Sequence, residues 1–241
     1  MLRVVKILLA GFTLALISDA VPAQADLNDM DKAALNAAIK EYIEANPEVL
    51  RDALMDLGRR EEAARRTEAL KLVRNDIGDP MMGNPDGSIV VYEFSDYNCG
   101  YCKRMFEPIR QLIQEDGDVR MVIKEFPILS QSSMVAAQAA VAAQAQGVFP
   151  QFHINMMTSR GAVSMDSIMD AAEDAGADLD RLRRDMNSDA VNAIIARTRQ
   201  AATALEISGT PGLVIGDTII PGAIGIEQLR QVIADERAKQ G

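Results

Sequence analysis

Two cysteines occur in the 241-residue chain, and they stand together as Cys99-Gly100-Tyr101-Cys102. Any thiol chemistry of this molecule is therefore chemistry between these two sulfurs. The residues before them, 88–94, are mostly β-branched or aromatic and predict a strand. After them Cys102, Phe106, Ile109 and Ile113 recur at helical spacing, which puts Cys99 at a helix N-terminus. There the unpaired amide N–H groups and the positive end of the helix dipole favour a thiolate. A Cys-x-x-Cys pair so placed is a redox device, because the first helical turn brings the second thiol within reach of the first. Two blander uses stand beside it. A structural zinc site needs four Cys or His ligands; with His153 the single histidine, that number is reached only by a metal shared between subunits. A structural disulfide would close a very small loop and restrict the unfolded chain little.

The elements that must position the pair can be traced outward. Residues 28–75 predict helices, with Leu35, Ile39, Tyr42 and Ile43 on one apolar stripe and a break at Asn46-Pro47. Pro47 suits the first position of a second helix, whose apolar face carries Val49, Leu50, Ala53, Leu54 and Leu57. Arg59-Arg60-Glu61-Glu62-Ala63-Ala64-Arg65-Arg66 then predicts an exposed helix laced with ion pairs one turn apart. Short amphipathic helices cannot bury their faces alone. Another subunit is preferred here over the chain's own main domain as the cover. Residues 78–87 gather Gly and Pro and read as a connector.

A strand, the cysteine helix and the apolar run Met121-Val122-Ile123 make a β-α-β start. From Pro127 to about Leu205 the pattern is helical: an Ala-rich run over 133–146 ending at Gly147, then helices capped by Ser164 and Ser188. Leu213-Val214-Ile215 and Thr218-Ile219-Ile220, joined by Gly216-Asp217, predict a hairpin with a two-residue turn. Ile226, Leu229, Val232 and Ile233 line a terminal helix.

The N-terminus has the layout of a secretory signal. Arg3 and Lys6 precede an apolar run over 7–17, and Ala23-Gln24-Ala25 matches a cleavage site that leaves Asp26 first. The run is shorter than the ~20 residues a spanning helix needs. No cysteine lies near the cleavage site, which excludes a lipoprotein anchor. The expectation is a soluble, exported protein in an oxidising compartment, the periplasm. The net charge of −10 becomes one unit more negative when Arg3, Lys6 and Asp19 leave, and so acidic a chain is a poor partner for nucleic acid.

Glu93-Phe94-Ser95-Asp96-Tyr97-Asn98-Cys99-Gly100-Tyr101-Cys102, Lys124-Glu125-Phe126-Pro127-Ile128-Leu129 and Gly209-Thr210-Pro211-Gly212, in that order, resemble the DsbA-like branch of the thioredoxin superfamily. The N-terminal helices resemble the segment that precedes this domain in ScsC-type suppressor-of-copper-sensitivity proteins, where it makes trimers. The resemblance implies an α/β class: a thioredoxin fold with an all-helical insertion at about 127–206, preceded by an α-helical oligomerisation segment. It divides the chain into a signal peptide at 1–25, the oligomerisation segment and linker at 26–78, and the DsbA-like domain at 79–241. Cys99 would be the exposed nucleophile and Cys102 the buried resolving thiol. Thr210-Pro211 would be a cis-proline loop that aligns substrate backbone, although Pro211 also fits a trans proline opening a strand. Glu93 would be a semi-buried carboxylate moving protons from Cys102, against the plainer reading of an outward-facing strand residue. Lys124 would pair with Glu93.

Gly100 and Tyr101 tune the redox poise. They replace the Pro-His of the strong oxidase DsbA, and without an imidazole the disulfide is expected to be less oxidising. Gly-Tyr, with Thr before the proline, is similar to the periplasmic isomerase DsbC. The resemblance thus implies a disulfide isomerase or reductase acting on misfolded or reduced exported proteins. It would be held reduced by a membrane redox partner and assembled as a homo-oligomer, a trimer preferred over a dimer. The Cys99–Cys102 disulfide would be its redox centre, with no further cofactor and no assigned metal. Two alternatives stay open. One is a dithiol oxidase. The other is a copper-binding protein of copper tolerance, whose thiols and Met81-Met82 and Met156-Met157 pairs are soft donors for Cu(I), though core filling is the commoner use of Met. His153 has no partner motif and reads as a surface or partly buried residue.

Overall fold

The structure, a computed structural model, describes residues 29–240, so the expected signal peptide at 1–25 lies outside the described residues. The chain divides into two compact units, one ending at Leu57 and one beginning at Gly58.

In the first unit, α1 (Asp29–Ala45) stops at Asn46, whose amide side chain donates to the Tyr42 carbonyl at 2.7 Å, and α2 (Pro47–Arg74), whose residues from Gly58 onward belong to the second unit, opens on the expected proline. Leu35, Ile39, Tyr42, Val49, Leu50, Leu54 and Leu57 are all exposed. The two helices expected after the break are one helix of 28 residues, which runs through Gly58 between its apolar and charged stretches.

The second unit is built on a five-stranded sheet in the order β1-β3-β2-β4-β5. Its strands are β1 (Met81–Gly83), β2 (Ile89–Ser95), β3 (Val119–Glu125), β4 (Gly212–Ile215) and β5 (Thr218–Pro221). β2 and β3 run parallel around α3 (Gly100–Glu115), and the other neighbours are antiparallel. β1 is a strand inside the expected connector. It is three residues long, too short to show a period among its flanking Gly and Pro.

The insertion is α4 (Gln131–Gln144), α5 (Phe149–Thr158), α6 (Met165–Asp174), α7 (Leu179–Asp185) and α8 (Asp189–Ala204). Ser130, Ser164, Asp178 and Ser188 cap α4, α6, α7 and α8 through their side chains, each satisfying an amide of the first turn. Gly216 turns the β4–β5 hairpin with φ +57°. The chain closes with α9 (Ile226–Gln240).

Strand alternation sorts the side chains of the sheet into two cores. Ile89, Val91, Val119, Met121 and Ile123 pack with Cys102, Phe106 and Ile109 of α3 and with the insertion. Tyr92, Phe94, Val122 and Phe126 point to the other face, where Ala69, Leu70 and Val73 of α2 and Ala201, Ala202 and Leu205 meet them. Arg74 pairs with Asp217 at 2.6 Å on the same side. The compact unit carrying the cysteines therefore takes in the second half of α2, which the boundary at residue 78 leaves outside it.

Candidate active site

The apolar β2 ends in a loop that delivers Cys99 to the N-cap of α3, at φ −80° and ψ 112°. Its sulfur accepts the Cys102 amide N–H at 3.4 Å, one of the orphan donors of the first turn. Its thiol also donates to the Thr210 carbonyl at 3.2 Å, and the Thr210-Pro211 peptide is cis. The loop before β4 thus lies against the cysteine, as the motif implies, and it shields it. Cys99 is 6% exposed and Cys102 is wholly buried, so the order of exposure is the expected one but the expected exposed nucleophile is covered. Tyr101 stands out at 61% exposed, with the Arg104 guanidinium 4.1 Å over its ring.

Glu93 points to the α3 side of β2 and is 2% exposed, which excludes the outward-facing reading. Burial pushes its carboxyl up to about 8, with Ser95 acting against the shift. Burial first, and then the charge of Glu93, push the Cys102 thiol above its ordinary range. Among the described residues, Oε1 of Glu93 has no hydrogen-bond partner. A carboxyl of this kind, acting on a buried thiol, can take that thiol's proton near neutral pH.

Lys124 does not pair with Glu93. In the parallel register Lys124 lies opposite Phe94, and its side chain leaves from the other face of the sheet. There it is fully buried, 2.5 Å from Asp79 and 3.1 Å from the Asn75 carbonyl, and Arg197 reaches the same Asp79 oxygen at 3.0 Å. Burial raises the Asp79 carboxyl and lowers the Lys124 ammonium, while their mutual attraction works back against both shifts.

Sequence reasoning missed two sets of side chains behind the cysteines. Asp96, 1% exposed, accepts the Asn98 amide at 2.8 Å and the amides of Ile128 and Leu129 at 3.0 Å, locking the cysteine loop to the chain after β3. The Tyr97 hydroxyl lies 3.2 Å from Glu125 Oε1 and 2.9 Å from His153 Nδ1. His153 is no surface residue. It is 1% exposed between the rings of Tyr97, Phe106 and Phe149, and burial lowers its ring to about 3. A run of apolar neighbours around His153, Phe149 through Met157, was the available signal for its burial.

Residues 90–234 match the DSBA-like thioredoxin domain family. The chain belongs to that family. Residues 31–64 match the Copper resistance protein ScsC N-terminal domain. A thioredoxin-like oxidoreductase from Silicibacter pomeroyi DSS-3 is 37% identical with a TM-score of 0.66, over 70% of this chain and 97% of that one. Proteus mirabilis ScsC in a transitional conformation is 28% identical with a TM-score of 0.66, over 89% of this chain and 99% of that one. The Na(+)/H(+) antiporter NhaA 1 of Salinispora arenicola is 28% identical over 157 residues, 64% of this chain; the chain spans 24% of that protein's length. The DSBA-like domain is thus a thiol–disulfide oxidoreductase domain of the DsbA and ScsC type. Among the described residues no helix is long and apolar enough to cross a membrane.

Proposed function

We propose that the protein is an exported disulfide isomerase or reductase that works in the periplasm on misfolded secreted proteins. The observation that carries this reading is the Cys99 sulfur at the α3 N-terminus, against the cis Thr210-Pro211 peptide, with Glu93 acting on Cys102 behind it. The chain's single histidine is buried and neutral, so no imidazolium is available to Cys99, which supports a disulfide less oxidising than that of a Pro-His site. The exposed apolar residues of α1 and the start of α2 support assembly into a homo-oligomer, a trimer by likeness to the ScsC type.

In this reading Cys99 attacks a wrong disulfide of the substrate, forms a mixed disulfide and releases one substrate sulfur as thiolate. Thr210 and Pro211 hold the substrate backbone beside it. A substrate thiolate can then attack the mixed disulfide, which moves the disulfide within the substrate with no net electron transfer. Alternatively Cys102 gives its proton to Glu93 and attacks Cys99. The substrate then leaves reduced, with the Cys99–Cys102 disulfide left behind for a membrane partner to reduce.

Reactivation of scrambled ribonuclease by residues 26–241 tests the reading, beside Cys99→Ser and the unit from Gly58 onward. Repair by the long form alone is the expected result. Failure to repair, together with oxidation of a reduced substrate, would make the protein a dithiol oxidase. A second reading rests on the match of residues 31–64 to the copper-resistance domain: Cu(I) held by the two thiols. Met82, Met156 and Met157 are buried in the core rather than displayed as donors. Stoichiometric Cu(I) binding that survives a strong chelator is what this second reading requires.

A further inference from the structure

The Tyr97 hydroxyl has one proton to give and stands between two groups that can accept it, Glu125 Oε1 at 3.2 Å and His153 Nδ1 at 2.9 Å. The chain of three ties the loop before Cys99 to the end of β3 and to α5. Tyr97, Glu125 and His153 are each 1% exposed. Because one proton cannot serve both bonds, the chain has a direction. Either Glu125 donates to Tyr97 and Tyr97 donates to His153, or His153 donates to Tyr97 and Tyr97 donates to Glu125. The first direction needs Glu125 as a neutral acid, and the second suits its carboxylate.

Glu125 stands opposite Ser95 in the β2–β3 register, on the sheet face that also carries Glu93 and Cys102. Burial acts on it first, against its charge; of the groups around it, Tyr97 favours the charge only when it donates to Glu125, and Asp96, Glu93 and Asp79 oppose it. None of these is a cation. A carboxylate at 125 would add a second negative charge to a dry face, hold Glu93 protonated and keep Cys102 a thiol.

We propose that the chain runs Glu125 to Tyr97 to His153, and that by holding Glu125 as a neutral acid it leaves Glu93 as the carboxyl that takes the Cys102 proton. Glu125, Tyr97 and His153 touch no reacting atom; they are positioning residues. Burial of Glu125, which raises its carboxyl well above the ordinary range, and of His153, which keeps the ring neutral, agrees with this direction. In the resolving step the Cys102 proton goes to Glu93 and the Cys102 sulfur attacks Cys99. The Cys99–Cys102 bond forms as the bond from Cys99 to the substrate sulfur breaks, and that sulfur leaves as thiolate.

The inference rests on Glu93 being the acceptor, so Glu93→Gln is the separate control. The measurement is the rate at which a Cys99–glutathione mixed disulfide resolves across pH, in the full mature chain, by stopped flow after mixing the reduced protein with oxidised glutathione. His153→Phe keeps a ring among Phe106 and Phe149 but removes the acceptor. Tyr97 then turns to Glu125, which ionises, and resolution at neutral pH slows about tenfold as the pH midpoint rises by about one unit. Adding Glu125→Gln to His153→Phe restores the midpoint, since no charge can then form at 125. A double variant as slow as His153→Phe would overturn the proposal in favour of packing alone. Infrared spectra decide the direction even if His153→Phe does not fold. At neutral pH the protonated-carboxyl band must lose a component in Glu125→Gln, and an unchanged band overturns the neutral acid. A pH profile unmoved in Glu93→Gln would overturn the role of Glu93 itself, with the infrared result still deciding the state of Glu125.

Discussion

On one face of the sheet Asp79 meets Lys124 and Arg197 within 3.0 Å, while on the other Glu93 and Glu125 lie buried and form no ion pair among the described residues. Lys124, Glu93 and Glu125 all come from β2 and β3 and differ by the side to which alternation sends them. Where a buried charge meets a countercharge, their attraction works against the effect of burial and the contacts tie the 75–79 segment and α8 to β3. Where a buried carboxyl meets only burial and a hydroxyl, it is held close to its protonated form and can exchange a proton. In the proposed function one face holds the fold and the other does the chemistry. Substitutions should separate the two.

The largest effects belong to the sulfurs. Cys99→Ser is expected to abolish insulin reduction and scrambled-substrate repair. Cys102→Ser keeps the attacking thiol but cannot resolve, so mixed disulfides at Cys99 should accumulate, as mass spectrometry of trapped substrate would record. On the opposite face Lys124→Met leaves Asp79 with one of its two cations. Breaking a buried pair costs about 3–5 kcal/mol, which denaturant unfolding would measure. Exchange per folded molecule should be unchanged; a shifted pH profile with undiminished stability would collapse the distinction between the faces.

Glu93→Gln tests the chemical face. A carboxyl ordinarily near 4.5 and raised to about 8 in the folded protein keeps its proton in a window where the unfolded chain has lost it. Its contribution to stability is full below about 4.5 and is lost as pH rises through about 8, at up to about 1.4 kcal/mol per pH unit. Glu93→Gln should remove that slope and be the more stable protein in mildly alkaline solution, while resolving mixed disulfides more slowly. Unfolding curves of the two proteins at matched pH would show it.

Much of this was legible in the chain because it is local. Cys99, Cys102, the capping serines Ser164 and Ser188, and the Gly216-Asp217 hairpin are readable from residue type and spacing. The cis Thr210-Pro211 bond came from the motif, since residue type alone left both isomers open. What the sequence hid is long-range. Lys124 and Glu93 look like natural partners as buried opposite charges on neighbouring strands, and the parallel register sends them to opposite faces. The partners of Lys124 and Tyr97 lie far along the chain, at Asp79 and at Glu125 and His153. The second half of α2 looked detachable because its charges dominate its pattern, yet Ala69, Leu70 and Val73 are buried against β2 and β3.

The smallest expected effect lies at the surface, on neither face. Tyr101 is 61% exposed and its visible contact is the Arg104 stack, worth about 0.5–1 kcal/mol at an exposed site. Tyr101→His exchanges that contact for an imidazole next to Cys99, which should favour the reduced, thiolate form. If Gly100 and Tyr101 set the poise, equilibrium with glutathione should move about tenfold toward reduced protein, about 30 mV. By the closed thermodynamic cycle the reduced form must then gain about 1.4 kcal/mol of stability relative to the oxidised form. Unfolding of both redox forms measures that difference independently of glutathione. A shift in one measurement without the matching shift in the other would mean that the new side chain acts on the unfolded thiols, and that the native dipeptide does not set the poise.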